Sequence, residues 1–179
     1  SNKTAPRVED GVLDLRTWNL EKDGPLALDG KWEFYWNTHL KPGDFAGETP
    51  PTRDGFIEVH GTWNGYEING KKINGEGYAT YRLKIHLANS GQILAFKFLD
   101  MATSFSVYLD GKKLMSAGFP GITIQSTIAQ FYPRVVEFSP DSELLEVVIL
   151  ASNFHHRKGG AWEPILLGVS ADIWQIRQR

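Results

Sequence analysis

Cysteine is absent from the 179 residues, which excludes a disulfide framework, thiol nucleophiles and thiolate metal sites. The compartment stays open, because exported chains can also lack cysteine. Neither sign of charge dominates, with 19 Lys and Arg against 21 Asp and Glu. The net charge is −2 and the isoelectric point about 6.2, with Lys and Arg scattered. No basic field is offered to phosphate backbones, and nucleic acid is not an expected partner. No apolar run approaches the roughly 18 residues of a membrane-spanning helix. Helix signals are also thin: 18 glycines and 9 prolines accompany no apolar stripe of period 3.6. Short helices are expected at most near Thr38 or Ser126. Catalytic signatures are missing too: no glycine-bracketed serine elbow, no phosphate-binding glycine loop, no dinucleotide fingerprint and no histidine pair at helical metal spacing. The expectation is a protein that is not an enzyme and carries no cofactor.

What is present is a chain with 41% hydrophobic and 12% aromatic residues, enough to bury a core as one domain. Apolar residues recur with period 2, the spacing that puts alternate side chains on opposite faces of a strand. Tyr81, Leu83, Ile85 and Leu87 alternate with Arg82, Lys84 and His86. The same pattern runs through Trp32–Trp36, Leu94–Phe98 and Phe105–Leu109. Leu144–Ala151 is almost continuously apolar, as in a strand covered on both faces. Asp29-Gly30, Asn64-Gly65, Asn69-Gly70, Asn74-Gly75 and Asp110-Gly111 are turn dipeptides that accept positive φ, and the last should close a hairpin. Short strands with turns between them predict an all-β sandwich. The stretch Pro42–Asn74 is the least regular, and Pro42–Pro51 reads as a surface loop.

Each candidate for chemistry has a structural alternative. His155-His156 could ligate a metal, but neighbours on an extended segment face opposite ways, so no metal site is expected. Asp100, Glu137, Glu146 and Glu163 could supply an acid/base pair only at a defined separation, which sequence does not give. The densest polar and aromatic stretch is Ser152–Ile165. There Asn153, His155, His156, Arg157, Lys158, Trp162 and Glu163 offer an amide, imidazoles, cations, an indole and a carboxylate, the parts of a sugar or acid site. Alternatively, Arg157 and Glu163 pair to brace the loop while Trp162 plugs the sandwich. Trp63 and Tyr78, each beside glycines, are either stacking platforms or core plugs.

Four stretches resemble a known family: Gly30-Lys31-Trp32-Glu33-Phe34-Tyr35-Trp36, Gly61-Thr62-Trp63, Gly77-Tyr78-Ala79-Thr80-Tyr81-Arg82-Leu83, and Ser152 to Gly160. Across Val12–Ile176 the chain is similar to the extracellular sensor domain of bacterial seven-transmembrane receptors with diverse intracellular signalling modules. The resemblance implies a galactose-binding-like jelly-roll β-sandwich, similar to the sugar-binding domain of β-galactosidase-type glycoside hydrolases. Val107–Leu114, followed by the loop Gly118–Gly121, also resembles those accessory domains. Residues 11–179 would form the single sensor domain, with residues 1–10 a disordered or tag-derived leader. The domain would sit on the periplasmic or extracellular side of the inner membrane, attached through a following C-terminal region. It would bind carbohydrate or a related small molecule, with a homodimer as a further option. Sandwich loops gather at the ends. The expected ligand site therefore joins Trp63, Tyr78 and Arg82 to Asn153, His155, His156, Arg157, Trp162 and Glu163. A protein-interaction module and a carbohydrate-binding accessory module of a glycosidase stay open beside the sensor.

Overall fold

The computed structural model describes residues 3–99, 104–118, 120–123, 134–154, 157–161 and 163–177. His155, His156, Trp162 and Asp100 lie outside them, as does the helix expected near Ser126. The strands are β1 (Val12–Leu15), β2 (Leu26–Ala27), β3 (Gly30–Trp36), β4 (Gly55–Val59), β5 (Glu67–Ile68), β6 (Lys71–Lys72) and β7 (Gly77–Leu87). They continue as β8 (Leu94–Phe98), β9 (Ser104–Leu109), β10 (Lys112–Ala117), β11 (Arg134–Phe138), β12 (Leu144–Asn153) and β13 (Ile165–Val169). One helix, α1 (Ser170–Arg177), follows, and a 3-10 turn covers Pro42–Phe45.

The larger sheet runs β10-β9-β12-β7-β3-β4, with β1 parallel to the second half of β7; the smaller runs β11-β8-β13-β2. Together they make the jelly-roll β-sandwich. The alternation in the sequence decides which side chains meet between the sheets. From the larger sheet come Trp32, Phe34, Tyr81, Leu83, Ile85, Phe105, Val107, Val147 and Ile149; Leu94, Phe96, Phe98, Ile165 and Leu167 face them, all buried. Aromatic edges lock this layer: Phe34 meets Tyr81 at 5.3 Å and 64°, and Phe98 meets Phe105 across the sheets at 5.4 Å. β12 is covered on both faces, since Val148 and Leu150 on its outer side are as buried as Val147 and Ile149.

Asp110 and Gly111 both take positive φ, 49° and 86°, and join β9 to β10 as a two-residue turn with Lys112 opposite Leu109. This is the primed turn that suits the twist of paired strands. Asn69-Gly70 does the same for β5 and β6. Asp29-Gly30 does not close a hairpin. Gly30 is there because the backbone of Val8 occupies the space a Cβ would need.

Two expectations are corrected. Val8–Asp10 is no loose leader: Val8 is 2% exposed and bridges Gly30, and its backbone exchanges hydrogen bonds with Asp29 and Lys31. Burial of one Val side chain, worth about 1.5–3 kcal/mol, is enough to hold such a segment. The helix α1 was not anticipated. It docks through one buried apolar side chain, Ile173, over Gly168, whose lack of a side chain leaves room for it. Two turns with one apolar anchor make no readable periodicity.

Because the inner face of β7 is fully enclosed, Leu83→Ala should lower unfolding free energy by about 2–5 kcal/mol in urea denaturation. Leu144→Ala, at a residue 46% exposed, should change it by less than about 0.5 kcal/mol.

Candidate functional site

The loop after β12 leaves the larger sheet where Asn153 pairs with Gly77. It is clamped there. The carboxamide of Asn64 donates through Nδ2 to the Arg157 carbonyl at 2.6 Å and accepts from the Gly159 amide at 3.0 Å. One side chain thus stands in for a strand partner. Trp63 N–H donates to the Gly159 carbonyl and Gly61 N–H to that of Ala161, at 2.9 and 2.8 Å. The Gly75 carbonyl accepts from both Trp63 Nε1 at 2.9 Å and Asn153 Nδ2 at 2.6 Å. Tyr81, its hydroxyl buried and its pKa pushed up by burial, accepts from the Ala161 amide at 3.3 Å.

Such close docking needs residues without side chains. A Cβ on Gly75 would overlap the Arg157 carbonyl, one on Gly159 the Trp63 indole, and one on Gly160 the Tyr81 hydroxyl. The backbone is hydrogen-bonded in place at Arg157, Gly159 and Ala161 while the Arg157 and Lys158 side chains stay exposed.

The sequence-predicted residues divide. Asn153 is at this end but buried, and works as a clamp. Arg157 is exposed and Glu163 half-buried; among the described residues no ion pair joins them, so the amide clamp takes the bracing role. Trp63 is fully buried, edge-on to Trp36 at 5.0 Å. That corrects its reading as a stacking platform: its faces belong to the core. Tyr78 is half-buried on the opposite, outer face of the sheet, edge-on to His39 at 5.1 Å. Arg82 lies four residues further along that face, about 13 Å away. Its Nε and Nη2 both donate to Glu146 Oε2, at 2.9 and 2.6 Å, and Nη1 is 3.5 Å from Glu33. Burial pulls the Arg82 pKa down, but the Glu146 hydrogen bonds and the Glu33 charge outweigh it and hold the group above its usual value. Arg82 is therefore removed from the sandwich end, because alternation along β7 turns it away from Tyr81 and the core.

Sequence reasoning missed Asn64, Gly75 and the strap Asn37–Ala46. Asn64-Gly65 and Asn74-Gly75 carry a signal, but as turn dipeptides they look like any other. The strap crosses the outer face: Thr80 Oγ1 donates to the Thr38 carbonyl at 2.8 Å and accepts from the Leu40 amide at 2.9 Å. His39 Nε2 is 3.1 Å from the Ala151 carbonyl and 3.4 Å from Ser152 Oγ. Contact with a carbonyl requires the Nε2–H tautomer. Among the described residues no group of three or more His, Asp or Glu could hold a metal ion.

No protein-family model matches the chain, and no curated protein does. Solved structures do. A GH2 beta-galacturonidase from Eisenbergiella tayi, bound to galacturonate, matches 80% of this chain at 16% identity with a TM-score of 0.53. Beta-glucuronidases from Faecalibacterium prausnitzii and an uncultured Clostridium each match 80% at 14% identity, with TM-scores of 0.58 and 0.59. The shared fold is the galactose-binding-like jelly roll. The likeness is of fold, and the chain spans only 24%, 31% and 28% of those three chains.

Gly75→Ala should destabilise the domain by about 1–3 kcal/mol and raise hydrogen exchange at the Gly159 and Ala161 amides, whereas Arg157→Ala should leave the melting temperature within about 1 °C of the parent. The His39 imidazole is held by burial below its ordinary 6.5. As pH falls through that value the unfolded chain takes up the proton first, so this contribution to stability is present above 6.5 and lost below it. His39→Gln should flatten the decline in melting temperature as the pH falls below about 6.5.

Proposed function

We propose that the chain is a non-catalytic, extracytoplasmic ligand-sensing domain of a bacterial membrane-bound signalling receptor. Its ligand is a carbohydrate or related small molecule, bound at the sandwich end around Arg157. One observation carries the reading. The loop backbone is seated by the Asn64 clamp and by glycines that tolerate no side chain, yet it presents cationic side chains to solvent. A merely connecting loop does not need that precision; a recognition loop does, because ordering it beforehand removes an entropic cost from binding.

An exposed guanidinium suits a carboxylate, which it can grip with two parallel hydrogen bonds. Sugar acids thus head the ligand class, with His155, His156, Trp162 and Glu163 as further contributors. The GH2 neighbours support a saccharide, since one was solved with galacturonate. They also support a second reading, an accessory module attached to a glycosidase catalytic domain. Their matched part is a minor share of each enzyme, in keeping with a role other than catalysis. The sensor role rests on the resemblance of the Gly77–Leu83 and Ser152–Gly160 stretches to receptor ectodomains. No helix among the described residues is long and apolar enough to cross a membrane.

A ligand that binds only the folded state raises the melting temperature by mass action, about 2.7 kcal/mol of stabilisation at a hundred times Kd. Galacturonate or glucuronate should raise it in a thermal-shift titration, and Arg157→Ala should remove the shift. Unchanged melting with every sugar and sugar acid, together with concentration-dependent self-association, would replace this reading with a protein-interaction module.

A further inference from the structure

A groove lies on the outer face of the larger sheet, well away from the loop end. Its floor is Arg82 and Lys84 of β7 and Glu146 of β12, with Lys84 paired opposite Glu146. Pro42, Phe45 and Ala46 of the strap form one wall, and Asp110 of the β9–β10 turn and Leu144 form the other. The volume is about 320 Å³, inside the range of small-molecule sites, roughly 300–1,000 Å³.

The charges here are more than the strap needs for adhesion. Further along the same face Val148 and Leu150 are buried without any charge. Half-buried ion pairs are a poor substitute for apolar packing, since desolvation offsets much of their attraction. These pairs are also fixed in place. Arg82 is gripped by Glu146, its guanidinium lies 4.4 Å over the Phe45 ring, and Tyr35 donates to Glu33 at 2.6 Å. Asp110 Oδ1 accepts from the Glu146 amide at 2.7 Å. Among the described residues, Glu146 Oε1, Asp110 Oδ2 and the Lys84 ammonium are left without a protein hydrogen bond.

The unused groups set the ligand class. Two acceptors and a strong donor sit close together between two apolar surfaces, Phe45 with Pro42 and the exposed Leu144. Three carboxylates near the floor, counting Glu33, disfavour an anion, and Arg82 with Lys84 disfavour a cation. Burial raises the Asp110 carboxyl above its ordinary value. A sugar ring, with apolar C–H faces and hydroxyl edges that both donate and accept, satisfies this lining.

We propose that this groove is a second binding site, for a neutral saccharide, separate from the anionic site at the loop end. The test is an amide-resolved NMR titration of the full chain with lactose and with cellobiose, and with galacturonate alongside. A neutral disaccharide should shift the Lys84, Asp110 and Leu144 amides saturably, with Kd on the order of 1 mM. Ala46→Trp, an exposed wall position, should weaken that binding at least about tenfold, and Lys84→Gln about threefold. Arg157→Ala should leave it unchanged. No shift of the groove amides with either disaccharide at about 10 mM, ten times the expected Kd, overturns the proposal. So does saturable binding that ignores Ala46→Trp, or a groove that answers galacturonate and not the neutral sugars. Loss of the uronate response in Arg157→Ala concerns only the loop-end site, so the two readings fail separately.

Discussion

The pairing of β7 with β12 constrains everything else in this molecule. Ten residue pairs, from Leu144 with His86 to Asn153 with Gly77, fix the register of the two longest strands. A slip of one residue would exchange the faces of every side chain on them. The register puts Leu83 beside Val147 and Tyr81 beside Ile149 on the inner face. The same register puts Lys84 beside Glu146 on the outer face, with Arg82 in reach of that carboxylate. It also sets where the chain leaves the sheet after Asn153, next to Gly75. Core, groove and loop end are three consequences of one ladder.

The two ends of that ladder solve different problems. At the loop end, backbone meets backbone so closely that glycine is required at Gly75, Gly159 and Gly160, and a single Asn64 amide satisfies both a carbonyl and an N–H. Buried backbone groups in a loop need such partners, and here a side chain provides them without a further strand. On the sheet face, side chains meet side chains, and fixed geometry comes from the Glu146 carboxylate and the Phe45 ring holding one guanidinium. Both arrangements order their groups in advance, which would lower the entropy lost by anything bound there. They differ in the charge they present, cationic at Arg157 and mixed in the groove.

The strands were legible because period 2 depends only on which face is buried, as in Tyr81–Leu87 and Leu94–Phe98, and because a strand covered on both faces is one apolar run, as in Leu144–Ala151. The Asp110-Gly111 turn was legible because two positive φ values in succession demand that chemistry. What sequence could not give was the identity of the neighbour. Asn69-Gly70 makes a hairpin while Asn74-Gly75 makes a close approach to the Arg157 carbonyl, and the dipeptides look alike. Alternation marked Arg82 as outward-facing, but nothing local to it announced that Glu146, 64 positions away, or the strap would enclose it. Trp63 sat beside a glycine in sequence, as both a platform and a plug would; only the Gly159 backbone against its indole decides for the plug. The short α1 and the Val8 bridge depend on one buried apolar side chain each, too little to leave a pattern.

Under the proposed sensing role, a ligand would have to favour one arrangement of some element over another. The strap Asn37–Ala46 is the element that touches both places. Its first half holds His39 against Tyr78 and Ser152, beside the exit of the loop. Its second half holds Phe45 over Arg82 at the groove. Hydrogen bonds through Thr80 and the Ala151 carbonyl fasten it between them. A ligand that wedged Phe45 outward would load those bonds, and a ligand that drew the loop toward Tyr78 would load them from the other side. Because coupling free energy is reciprocal, the strap would then carry occupancy at either site to the other with equal strength, in a sandwich whose core need not rearrange.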